Sequence, residues 1–140
     1  MADTIHVDIV SAEGEIFSGP AKMVFLPAAE GEIGVAPRHA PLLALLKAGE
    51  VRVQPPEGGE MSFFVGGGAL EVQPQRVTVL ADTAARASDL DEAAALAARQ
   101  RAEEALAAKT DKINLAEAQA ELIRAAAQLK LIQKLRKIRG

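Results

Sequence analysis

The chain has 140 residues, 49% of them hydrophobic and 25% charged, with a formal net charge of −3, and a chain of this length buries roughly 68% of its unfolded surface without covalent staples. The lack of cysteine excludes a disulfide framework, a cysteine-ligated zinc and a thiol nucleophile, and the charge balance leaves no basic footprint for nucleic acid. Its leucine-rich run, LLALL at 42–46, is far short of the ~20 residues of a membrane span, and the acidic MADTIHVDIV start does not have the pattern of a secretory leader, so the expectation is a soluble, cytoplasmic-type protein.

Composition changes near Ala87. Residues 1–87 hold all seven prolines, ten of eleven glycines and all four phenylalanines, with net charge −5. Residues 88–140 hold no proline, fifteen alanines and a net charge of +2. The shift predicts two domains, 1–87 and 88–140.

The first part alternates with period two. Ile5, Val7 and Ile9 share one face, with His6 and Asp8 on the other. Val51 and Val53 alternate with Glu50, Arg52 and Gln54, and Val77 and Val79 with Arg76 and Thr78. Turn signals fall at Gly14, Ser18-Gly19-Pro20, Gly31, Gly34, Gly66-Gly67-Gly68 and Pro74. Short strands between Gly/Pro turns argue for a β-sandwich or barrel. PPEGG at 55–59 reads as a hairpin tip, and the glycines of VGGGAL as a bulge or close backbone approach.

The second part changes to a helical period. Ser88 or Asp89 can cap a helix, with Asp91 or Glu92 reaching back to the cap. Helix formers run to about Ala108, KTDKI at 109–113 is the break, and Asn114 with Glu117 repeats the cap pattern. Leu115, Ala118, Leu122, Ala125, Leu129 and Ile132 form one stripe. The facing helix offers Ala97, Ala98, Ala102, Ala105 and Ala108. Small residues permit close approach, so an antiparallel hairpin is predicted, held weakly because alanine buries little apolar area. The fold class is therefore α+β, a β-sandwich or barrel followed by a two-helix hairpin.

Catalytic signatures are sparse. The two histidines, His6 and His39, have no metal-ligand spacing, and no nucleophile elbow accompanies them. His39, between Pro37 and Pro41, reads as a loop histidine bonded to backbone. VGGGAL is neither a Walker A loop nor GxGxxG. From Arg124 onward there are six basic residues and no acid. Those in the last turn complement the helix dipole; the remainder suggest a basic arm meeting an acidic partner surface, or anionic lipid, disfavoured by the absence of an aromatic anchor.

The strings VDIVSAEGEIFSG (7–19), EGEIGVAPRHAPLL (30–43), GGGALEVQPQRVTVLADTA (66–84) and DLDEA (89–93) resemble, in the same order, the epsilon subunit of the bacterial F-type rotary ATP synthase. That resemblance implies a sandwich of about ten strands before the hairpin. It implies a non-catalytic central-stalk subunit, peripheral on the cytoplasmic face of the inner membrane, with no membrane span of its own. The implied partners are the gamma subunit, the c-subunit ring, and the alpha and beta subunits of the catalytic head. By that resemblance the subunit is expected to couple rotation of the ring to synthesis, and its mobile helices to restrain ATP hydrolysis. The whole 88–140 segment as one helix would span ~80 Å.

The resemblance places Glu32 and His39 at the c-ring contact. Lys130, Lys134, Arg136, Lys137 and Arg139 become the regulatory contact with the head. No cofactor is implied beyond ATP as a weak regulatory ligand. The nucleotide motif of some members corresponds here to Asp91, Arg101 and Arg124, but Ala94 occupies its arginine position and Gln128 another, removing bidentate phosphate partners. The alternative reading, a free-standing small-ligand or nucleotide-sensing module, rests on those same three residues.

Overall fold

The computed structural model describes residues 3–108 and 112–139, with side chains at 3–108 and 115–137. Its contacts divide the chain into two units, Met1–Ser88 and Asp89–Gly140. The first contains β1 (Ile5–Ser11), β2 (Gly14–Ala21), β3 (Met23–Ala28), β4 (Gly31–Val35), β5 (Leu42–Gln54), β6 (Met61–Gln73), β7 (Arg76–Ala81) and β8 (Ala84–Arg86). The pairing order is β2-β1-β7-β6-β5-β3-β4, with β8 on β6. β1 and β7 are parallel and the remaining pairs antiparallel.

Among the described residues the strands number eight, not about ten. β5 and β6 are each 13 residues long, and each runs unbroken through two parts of the sandwich. Gly68–Gln73 of β6 pair with β7, whereas Phe63–Val65 pair with β8. The exchange of partners is stitched by Gly66 N–H to Thr83 O at 2.8 Å and Asp82 N–H to Gly67 O at 2.9 Å. Gly67 and Gly68 have φ of +106° and +134°, conformations that side-chain-bearing residues rarely adopt. A Cβ on Gly68 would lie 2.1 Å from Leu80 O. The VGGGAL segment is thus a close backbone approach, as its glycines predict.

Period-two alternation supplies the core. Ile5, Val7 and Ile9 are fully buried, as are Val51, Val53, Val77 and Val79. Val24 and Leu26 of β3, Val35 of β4 and Val65 and Val72 of β6 join the same cluster. Phe17 of β2 meets Phe63 of β6 with ring centroids 5.2 Å apart, although β2 and β6 are not paired. One core therefore fills the space between strands brought face to face, as in a sandwich. PPEGG closes the β5–β6 hairpin, with Gly58 N–H to Pro55 O at 3.1 Å.

In the second unit α1 spans Glu92–Ala107 and α2 Lys112–Arg139. Ala87–Asp89 form a 3-10 turn, so neither Ser88 nor Asp89 caps α1. Asp91 does, in extended backbone, accepting from the amides of Ala93 at 2.9 Å and Ala94 at 3.3 Å. Asn114 lies inside α2, not before it; residues 109–111 of the expected break, and the Asn114 side chain, lie outside the described residues. Ion pairs of Arg101 with Glu121 and Arg136 with Glu92 set the helices antiparallel. Ala95 and Ala102 are the buried residues of α1; Ala97 and Ala108 are exposed because they fall off the 95–98–102–105 stripe. On α2, Ala118, Ala125 and Leu129 are buried, with Leu115, Leu122 and Ile132 half-buried.

The tightest constraint in the first unit should dominate its stability. Gly68→Ala meets both unfavourable φ and backbone overlap, and should destabilise by more than about 2 kcal/mol. Gly14→Ala has φ of +132° but open space around the new Cβ, and should cost only about 1 kcal/mol. Urea unfolding of the two variants checks the difference; equal costs would mean that the Gly68–Leu80 approach relaxes.

Candidate functional site

The strand register leaves an apolar patch on the outer side of the sandwich. Leu45 of β5 stands opposite Ala69 of β6, Ala69 opposite Leu80 of β7, and Leu80 opposite Val10 of β1. The next row on that face reads Leu43, Glu71, Thr78 and Asp8. Leu43, Leu45 and Leu80 are 76%, 69% and 56% exposed. Three clustered leucines left in water on a sheet face mark a partner surface, unlike a scattered apolar residue.

Beside this patch, a cleft of about 520 Å³ runs between the β3–β4 turn and the start of β5, lined by Ala28–Ile33 and Leu42–Leu45. Glu30 and Glu32 stand on its rim. Glu32 is exposed on β4 and accepts from Arg52 Nη2 at 2.9 Å. His39 belongs to the following turn. Its Nδ1 lies 2.7 Å from Ala40 O and its amide donates to Ala36 O at 3.2 Å, the backbone-bonded loop histidine that the flanking prolines predict. Arg38 sits beside it in the left-handed region with φ of 65°. Its amide donates to Pro74 O at 2.8 Å and its guanidinium pairs with Asp3 at 3.0 Å. The turn is thus fixed from two sides. A non-glycine residue held at positive φ is strain that surrounding bonds sustain.

Pairing of β1 with β2 gathers a polar cluster that the sequence reading missed. Ser18 Oγ donates to Asp8 Oδ1 at 2.7 Å, His6 Nε2 lies 3.0 Å from that same oxygen and 2.9 Å from Ser18 Oγ, and Arg76 pairs with Asp8 Oδ2. The residues are those of a nucleophilic triad but the wiring is not. The serine hydroxyl donates to the carboxylate rather than to the imidazole, and a single imidazole nitrogen faces both oxygens, which is not the base–nucleophile relay of a triad. The signal was present: period two puts His6 and Asp8 on one face, and a hairpin centred near Gly14 brings Ser18 opposite Asp8. Burial raises the Asp8 pKa, but the hydrogen bonds from Ser18 and His6 and the charges of His6 and Arg76 prevail, holding it below its ordinary value.

On the hairpin two of the three residues expected to bind nucleotide, Asp91 and Arg101, have other partners. The Asp91 carboxylate caps α1, and Arg101 pairs with Glu121 at 3.4 Å. Asp91 and Arg101 are ten residues apart, about 15 Å along the helix, and Arg124 is half-buried on α2. Of the basic arm, Lys130, Lys134, Arg136 and Lys137 are exposed. Arg136 is joined to Glu92, Lys134 also has a partner, and the Arg139 side chain lies outside the described residues. No group of three or more metal-ligating side chains occurs among the described residues.

Comparison with known proteins meets this geometry at both units. Residues 4–87 match the beta-sandwich domain of the ATP synthase delta/epsilon chain, and residues 88–133 match its long alpha-helix domain. The chain belongs to the ATP synthase delta/epsilon family. It is 65% identical over 140 residues to the ATP synthase epsilon chain of Nitrosococcus oceani, covering 100% of both chains. It is 60% identical over 134 residues to that of Alkalilimnicola ehrlichii, covering 96% of each. A chain in the cryo-EM structure of the Euglena gracilis mitochondrial ATP synthase shares the fold, with TM-score 0.69, 19% identity, and coverage of 98% of this chain and 82% of that one. The high-identity relatives are epsilon chains of the ATP synthase, an enzyme of several different chains, and such a subunit is not itself catalytic, in keeping with a His6–Asp8–Ser18 cluster wired for structure. Among the described residues no helix is long and apolar enough to cross a membrane.

The cluster makes a signed prediction. A carboxyl with a lowered folded-state pKa contributes stability that is whole above its unfolded pKa, about 4, and is lost as pH falls through the folded value. Asp8→Asn should lower stability at pH 7 by about 1–3 kcal/mol, and the difference from the parent should shrink markedly at pH 3. A difference independent of pH would show that Asp8 acts by shape rather than charge.

Proposed function

We propose that this subunit works in the central stalk, its sandwich binding the gamma subunit and resting on the c-subunit ring, so that rotation of the ring is coupled to synthesis in the catalytic head. The observation that carries the reading is the exposed Leu43–Leu45–Leu80 face on a rigid, fully cored sandwich. Burying each leucine against a partner contributes about 1.5–3 kcal/mol. The family relationship supplies the partner, and the related chains of known fold come from an Euglena assembly described as OSCP/F1/c-ring and a Tetrahymena one described as central stalk/c-ring. The cleft rim with Glu32 and the turn with His39 meet the c ring. The complex sits peripherally on the cytoplasmic face of the bacterial inner membrane.

The helical unit restrains ATP hydrolysis. Its buried positions are mostly alanine, with Leu129 and Leu131 on α2, and it is joined by exposed ion pairs, each worth only ~0.2–1 kcal/mol, so a few kcal/mol decide between hairpin and extended arm. Extended, the arm presents Lys130, Lys134, Arg136, Lys137 and Arg139 to acidic surfaces of the alpha and beta subunits. ATP is at most a weak ligand of the hairpin, since Asp91 caps α1, Arg101 is paired with Glu121, and Ala94 cannot hold phosphate.

Two variants test the parts separately. Leu43→Glu with Leu45→Glu and Leu80→Glu should weaken copurification with gamma by about 100-fold or more while the thermal midpoint changes little; undiminished copurification would remove the sandwich face from the interface. Changing the five arm cations to glutamine should release hydrolysis by reconstituted head complexes, and salt should mimic it in part as the Debye length shortens from ~10 Å at 0.1 M to ~3 Å at 1 M. Restraint equal to the parent's would leave those cations as helix-terminal charges.

A further inference from the structure

On the β5-β3-β4 side of the sandwich four residues make one stacked arrangement. Phe25 of β3 stands opposite Gly34 of β4 on one side and Arg52 of β5 on the other. A Cβ on Gly34 would lie 3.1 Å from Phe25 Cε1 and 2.9 Å from the Met23 methyl, so the bare glycine is what allows the phenyl ring to lie along β4. The Arg52 guanidinium sits 4.4 Å above that ring's centroid, a cation–π distance. Its Nη2 donates to Glu32 Oε1 at 2.9 Å, and its Nη1 lies 3.6 Å from Glu60 Oε2. Arg52 is 24% exposed and Glu32 56%. The guanidinium is held by a ring on its face and carboxylates on two edges. Among the described residues no hydrogen bond engages Glu32 Oε2.

We infer that Arg52, seated on Phe25, is a positioning residue that fixes the Glu32 carboxylate with Oε2 presented to a hydrogen-bond donor on the c-ring surface. The inference rests on the reading above that Glu32 meets the ring. An exposed glutamate on its own samples many rotamers and loses that freedom when it binds. Here Oε1 is already committed to a planar, stacked donor, so the carboxylate meets its partner in one orientation. Lysine cannot substitute, because a compact ammonium neither stacks on the ring nor offers a planar fork. The spacing explains the residue types: Gly34 makes room, Phe25 makes the platform, Arg52 makes the clamp, and Glu32, two residues from Gly34 on the same face of β4, is what is clamped.

The test uses head complexes carrying the full chain, titrated onto c-ring membranes stripped of the head, with half-saturating concentration as the readout. Glu32→Gln and Arg52→Gln should each weaken attachment by about three- to tenfold. Phe25→Leu should weaken it by a smaller factor, and Arg52→Lys should not restore it. Arg52→Gln in the Glu32→Gln background should add nothing, since the clamp then has no carboxylate to orient. An equal further loss in that background would overturn the inference and make Arg52 a staple of the β3–β5 pairing. Loss with Glu32→Gln but none with Arg52→Gln would overturn it while leaving the ring contact standing. No loss with Glu32→Gln would remove both. Should Arg52→Gln fail to fold, Arg52→Lys and Phe25→Leu, each alone and combined with Glu32→Gln, decide the same question.

Discussion

The sandwich depends on one backbone approach, that of Gly68 to the carbonyl of Leu80, which a single methyl group would close to 2.1 Å. Because Gly67 and Gly68 adopt positive φ there, β6 exchanges β8 for β7 without ending, and β5 follows it through the same bend. One continuous hydrogen-bonded path can then enclose a core that includes Ile9, Val53, Phe63 and Val79. The same register sets what remains outside. Leu80, whose carbonyl meets Gly68, directs its side chain to the outer face beside Ala69 and Leu45. The fold's tightest internal contact lies between β6 and β7, and the exposed apolar row runs across these two strands and the adjoining β5.

The two units differ in how firmly they are held. In the sandwich, fully buried Ile, Val, Leu and Phe side chains each contribute on the order of 2 kcal/mol. The hairpin offers mostly alanine at its buried positions, along with exposed ion pairs. A rigid body for docking and a softly held element for switching are what the proposed stalk function requires. Arg136 connects the two states of the proposed arm, since the cation that would face the head is joined in the hairpin to Glu92.

Much of the fold was legible because period and punctuation are local. Alternation at Ile5–Ile9, Val51–Val53 and Val77–Val79, the PPEGG tip and the VGGGAL approach all follow from residues within a few positions. The resemblance implies about ten strands and the structure has eight among the described residues, because β5 and β6 each serve two parts of the sandwich without a break in the ladder. The cap was misplaced by two or three residues because an intervening 3-10 turn occupies Ala87–Asp89, and Asp91 looks no different in sequence from Asp89. The site was less legible, for a physical reason. LLALL does not alternate, so nothing local distinguishes exposed Leu43 and Leu45 from buried Leu46. The Arg52–Phe25–Glu32 contact joins Arg52 to residues 20 and 27 positions away, and becomes visible only once β3 is known to lie between β4 and β5. The Ser18–Asp8 pairing was the readable exception, since it needs only one hairpin.

Hydrogen exchange of the chain, alone and bound to gamma, tests the central claim most directly. If the outer sandwich face is the docking surface, binding should slow exchange at the start of β5, at Gly68–Gln73 of β6 and across β7, with β3 and β4 little changed. New protection confined to β3 and β4, with Leu42–Leu46 exchanging as in the free chain, would contradict the account.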